Sequence, residues 1–124
     1  MTDAEIWELA LGSAANAMTA FSIYLTVTFA YLVASYLAGA KLSRLQTVLI
    51  SGLYVFGAGS GLLTCVSHIY RAMILQDMLA SKSETFAKAF AVGGGFWSIY
   101  MSILLSAGMV VSLYFMYDIR RNSQ

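Results

Sequence analysis

Residues 45–70 read LQTVLISGLYVFGAGSGLLTCVSHIY and contain no Asp, Glu, Lys or Arg. A bilayer hydrocarbon core of about 30 Å is crossed by about 20 apolar residues in a helix, so the stretch is long enough to span it. A helix on a water-soluble domain carries a charged or polar face, and no such face can be drawn here. Two further charge-free stretches flank it, Leu9 to Ala40 and Ala89 to Tyr117. The seven Lys and Arg and the six Asp and Glu all lie outside the three. The sequence therefore predicts an all-α integral membrane protein of three transmembrane helices in an up-down-up bundle. The spans fall at about 13–38, 45–70 and 89–117, within one membrane domain covering 1–124.

Composition agrees. Apolar residues make up 60% of the 124-residue chain and charged residues 10%, against about 45–50% and 25% in soluble domains. A net charge of +1 with no basic cluster excludes nucleic acid as a partner. The single cysteine, Cys65, cannot form an internal disulfide and sits inside the second span, where an inert thiol is expected. Ala38-Gly39-Ala40 resembles a signal-cleavage triplet. The preceding apolar run is too long for a signal sequence, and Asp3, Glu5 and Glu8 stand where basic residues belong, so the first span is expected to be retained.

Thr2 and Glu5 have the spacing of a capping box, and a short amphipathic helix is expected over about 3–12, with Trp7 as an interfacial anchor. Lys41 to Arg44 leaves room only for a tight hairpin turn. The chain has no proline, which favours long helices. Good helix formers continue from Arg71 to Ala80, and Ser81 or Ser83 can cap a new helix, Ser81 with Glu84 as its capping-box pair. The second and third helices are thus expected to extend beyond the bilayer as a hairpin. Lys41, Arg44, Arg120 and Arg121 on one side, against Arg71, Lys82 and Lys88 on the other, place the N-terminus outside and the C-terminus in the cytoplasm of a plasma or inner membrane.

Small and hydroxylated residues mark the contact faces of membrane helices, because lipid tails remove the hydrophobic drive to associate. Ser13, Ala17, Ala20, Tyr24, Thr28, Tyr31, Ser35 and Ala38 follow helical spacing on one side of the first span. Phe21, Leu25, Leu32 and Tyr36 lie nearer the lipid side. In the second span Gly52, and the run Gly57 to Gly61 with its GxxxG pair Gly57 and Gly61, predict close backbone approach on more than one side. In the third, Gly93, Gly94 and Gly95 form a packing or hinge point. Ser98, Ser102 and Ser106 repeat at four-residue steps as a hydroxyl stripe.

One constellation places ionisable groups at a span end. Thr64, His68 and Arg71 share a side of the second helix at steps of four and three. Such groups point to an anion or headgroup site, a pore vestibule or a proton-sensitive gate. An interfacial role, with the side chains reaching to headgroups, is the stronger expectation. His68 and Cys65 fall short of the three or four ligands that zinc requires, and haem would need His68 from two copies. No base and orienting acid accompany a nucleophile, so no catalytic residue, metal or cofactor is expected. No Asp, Glu, Lys or Arg lies at mid-span, which argues against coupled transport. The expectation is a small non-catalytic membrane protein that forms a homo-oligomeric, channel-like assembly in the lipid bilayer. The alternative is an accessory or scaffold subunit docked on a larger membrane protein. A haem- or pigment-binding subunit is the remote third.

Overall fold

A computed structural model describes residues 2–82 and 94–124. They form three α-helices and no strand: α1 (Asp3–Ala38), α2 (Arg44–Ala80) and α3 (Gly94–Asn122). The helices contain 36, 37 and 29 residues, or about 54, 56 and 44 Å at 1.5 Å per residue. All three are long and apolar enough to cross a membrane. The chain is a helical membrane protein.

Thr2 starts α1 with the expected capping box. Glu5 N–H donates to Thr2 Oγ1 at 3.3 Å, and Thr2 N–H donates to Glu5 Oε2 at 2.7 Å. From there α1 runs unbroken to Ala38, so the amphipathic segment 3–12 and the first span share one helix. Gly12 does not interrupt it, because a lone glycine lowers helix stability without ending a long helix. A second capping box, Ser43 with Gln46, starts α2 immediately after the turn. In that turn a side chain at Gly39 would meet the Ser35 carbonyl and Met116, so the bend requires glycine. Ser81 closes α2, its N–H donating to Asp77 O. Ser83, Glu84 and Gly93 lie outside the described residues, as does the expected start of the third helix before Gly94.

The most extensive interface joins α1 to α2. Thr28 meets Tyr54, Tyr31 meets Ser51, and a Cβ on Gly61 would touch Tyr24, so contacts advance along α1 as they retreat along α2. Their far ends meet too: Ile6 and Leu79 are both fully buried, and Lys82 Nζ lies 3.0 Å from Asp3 Oδ1. Among the described residues, then, the last turns of α2 have the first turns of α1 nearby. The core is built from Ala17, Ala20, Tyr24 and Tyr31 of α1, Tyr54, Ala58 and Cys65 of α2, and Leu105 and Met116 of α3. Alanine and glycine let the backbones approach, and the tyrosines and Leu105 fill the space between.

Candidate functional site

The middle of the bundle is a set of hydroxyls, placed there by the small and hydroxylated face of α1. Tyr24 reaches across to α3, where its O–H donates to the Leu105 carbonyl at 2.5 Å. Tyr31 Oη lies 2.8 Å from Ser51 Oγ, and Thr28 Oγ1 lies 3.2 Å from Tyr54 Oη. The Tyr31 and Tyr54 rings stack with centroids 4.1 Å apart. Ser35 and Ser112, both buried, donate back to the carbonyls of Tyr31 and Gly108. In hydrocarbon each unmatched hydroxyl would cost several kcal/mol, roughly what an unpaired polar group loses in an apolar medium. Here the tyrosine hydroxyls all find partners, so they tie the helices together instead of lining an open path.

Gly108 makes the Tyr24 contact possible. A Cβ there would lie 2.6 Å from Tyr24 Oη, closer than real side chains approach. By contrast, Gly57 and Gly61 face α1 with room to spare. An added Cβ would meet Val27 or Tyr24 at 3.5 Å, which is ordinary contact. The GxxxG pair is thus used within the chain. Gly52 and Gly59 have nothing within 4 Å of that position and face outward. Gly94 and Gly95 are the first residues of α3.

Thr64 and Arg71 are exposed on α2 and His68 is half-buried between them in sequence. His68 Nδ1 is buried and has no hydrogen-bond partner among the described residues. Among the described residues the one ion pair joins Asp3 and Lys82, so Arg71 has no carboxylate partner there. Ser60 and Ser67, flanking Thr64, turn their hydroxyls back to the carbonyls of Gly57 and Thr64. The serine stripe of α3 winds outward. Ser98 and Ser102 are half-buried, Ser102 Oγ donates to Ser98 O at 2.8 Å, and Ser106 is exposed. Each four-residue step overshoots a full turn by about 40°, so a stripe of this spacing leaves the interface within two steps. Among the described residues no group of three His, Cys, Asp or Glu side chains is placed to hold a metal ion.

Arg120 has a role that counting charges does not reveal. Its Nη1 donates to Leu42 O and to Thr47 Oγ1, both at 2.6 Å, and at 3.4 Å to Gly39 O. The end of α3 is thereby bound to the α1–α2 turn, whose carbonyls lack helical partners. A guanidinium suits this because it presents several donors in one rigid plane. The available signal was positional: Arg120 ends the third apolar helix, and the turn after the first helix offers it free carbonyls. Comparison with protein-family models, curated proteins and solved structures finds no match for the chain.

Proposed function

We propose that the chain is a non-catalytic membrane subunit that assembles with copies of itself through the outward face of α2, giving a channel-like homo-oligomer. In this reading the helices cross a plasma or inner membrane up, down and up, with the N-terminus outside and the C-terminus cytoplasmic. The end of α2 near Leu79 extends beyond the bilayer toward the third helix as one arm of a hairpin, with the start of α1 near Ile6 beside it.

The observation that carries the reading is a pairing of shapes on one face. Gly52, Phe56 and Gly59 follow one another at steps of four and three. The two glycines have open space above them and Phe56 is 79% exposed. A two-fold contact needs a patch that complements itself, and a large ring between two bare backbone positions provides both the projection and the recess. Because the tyrosines, alanines and Leu105 occupy the centre of one bundle, an aqueous path would run between copies. The exposed hydroxyls of Thr64 and Ser106 and the His68–Arg71 edge are the groups available to line it.

The test is the mass of the purified chain in mild detergent or lipid nanodiscs. A defined multiple of the 13.5 kDa chain is expected. A monomer refutes self-assembly and transfers the face of α2 to a larger membrane partner, the accessory-subunit reading. Given an oligomer, ion flux into liposomes is expected for the natural chain and is expected to fall in Ser106→Trp. An intact oligomer without flux refutes the channel and leaves a scaffold.

A further inference from the structure

At the end of the bundle that carries the first turn, residues of α2 and α3 line a cavity of about 380 Å³. Arg44 from α2 and Arg120 and Arg121 from α3 line it. Thr47, Ser51 and Tyr117 add hydroxyls, and Val48 and Leu113 supply an apolar wall. Met116 and Gln124 complete the lining, and no Asp or Glu side chain is part of it. Asp118, the acid of this end, stands outside it: it projects from a different side of α3 than Arg120, and although it lies three residues before Arg121 it forms no ion pair with it.

Three guanidinium groups around one cavity repel one another and call for an anion. The innermost, Arg120, is half-buried, and its hydrogen bonds go to two carbonyls and a hydroxyl, which leave it without a carboxylate partner among the described residues. Those bonds fix the guanidinium in place, so the cavity has an anchored cation at its wall rather than a freely moving side chain. Arg44 and Arg121 are exposed and can close on a ligand from either helix. Guanidinium forks match the oxygens of phosphate esters in paired hydrogen bonds, and hydroxyls supply further donors. Basic pockets between transmembrane helices at the headgroup level recognise acidic lipid headgroups by this chemistry. The mixed lining is what a lipid requires, charge for the headgroup and an apolar wall for the first carbons of the acyl chain.

We propose that the cavity framed by Arg44, Arg120 and Arg121 binds a phosphate-ester oxyanion, supplied by the headgroup of an anionic phospholipid lying between α2 and α3. The site belongs to one chain, since every lining residue comes from α2, α3 or the segment after α3 of the same chain.

The experiment places the natural chain in nanodiscs of phosphatidylcholine containing a minor share of phosphatidylglycerol, and counts retained lipid by native mass spectrometry. Selective retention of phosphatidylglycerol at one per chain is expected. Arg44→Gln with Arg121→Gln removes two exposed cations and leaves the Arg120 hydrogen bonds intact. Selectivity should fall about fivefold per residue, roughly thirtyfold together. Lys41→Gln, a cation at the same end that does not line the cavity, should change it far less. A parallel arm holds the chain in phosphatidylcholine alone with millimolar inorganic phosphate and reads its thermal transition. Stabilisation there, without phosphatidylglycerol selectivity, upholds the oxyanion site and assigns its source to soluble phosphate. Absence of both effects overturns the proposal. So does a loss of lipid selectivity in Lys41→Gln as large as in Arg44→Gln, since that is general surface attraction. Because retention is counted per chain, either result leaves the oligomer measurement unaffected.

Discussion

Replacing Gly108 with alanine puts a methyl group where the Tyr24 hydroxyl lies. The added carbon would stand 2.6 Å from Tyr24 Oη, whereas ordinary contact begins at 3.4 Å. The hydroxyl must retreat, yet it donates to Leu105 O at 2.5 Å and belongs to a ring buried on all sides. The variant therefore loses an interhelical hydrogen bond, about 0.6 and up to about 1.7 kcal/mol in a membrane. It also overpacks the core, at about 1–3 kcal/mol. A loss of roughly 2–4 kcal/mol is expected, although glycine to alanine ordinarily favours a helix. Tyr24→Phe alone removes only the bond and should cost about 1 kcal/mol. In the double variant the offending atom is gone, and the next nearest, Cζ, is 3.8 Å away. Gly108→Ala added to Tyr24→Phe should then change stability by less than about 0.5 kcal/mol, a strongly non-additive cycle. Unfolding in dodecylmaltoside with increasing dodecyl sulfate, followed by helical circular dichroism, reads all four proteins. Additive losses would refute the approach of Tyr24 to α3 on which the core rests.

Three further substitutions read other parts of the structure by the same unfolding assay. Gly61→Ala should be tolerated within about 1 kcal/mol, because its Cβ meets Tyr24 only at ordinary distance. Ala58→Leu, at a fully buried position between helices, should cost about 1–3 kcal/mol or prevent folding. Asp3→Asn should cost less than about 1 kcal/mol, since the Asp3–Lys82 pair is exposed to solvent and its attraction is screened.

The inward side of α1 was legible in the main: Ser13, Thr28 and Ala38 of that side are half-buried, and Phe21, expected nearer the lipid, packs against the core. Ala17, Ala20, Tyr24, Tyr31 and Ser35 are buried, and they were distinguishable because small and hydroxylated side chains at helical spacing have no reason to face lipid. The glycines of α2 were legible only as a set. Gly52 and Gly61 stand nine residues apart, two and a half turns, so one faces out when the other faces in. Nothing in their identity says which is which. The serine stripe of α3 drifts by about 40° at each four-residue step, so Ser98 and Ser102 are half-buried and Ser106 is exposed, a difference that equal spacing alone does not announce. Gly108 was not legible at all. Its role depends on where a tyrosine from another helix arrives, a relation absent from local pattern. Arg120 counted in the sequence as a topology charge, and its bonds to the first turn follow only once α3 is brought beside that turn.

Self-assembly through α2 is tested most directly by a single cysteine on its outward face in native membranes. With Cys65→Ala as background, Leu63→Cys, on the same face one turn beyond Gly59 and 71% exposed, should form a disulfide-linked dimer on mild oxidation at low expression. Phe29→Cys, equally outward on α1 at 71% exposure, should remain monomeric under the same conditions. Equal yields at the two positions, or none at Leu63→Cys while the chain remains folded, would contradict assembly through the Gly52–Phe56–Gly59 face.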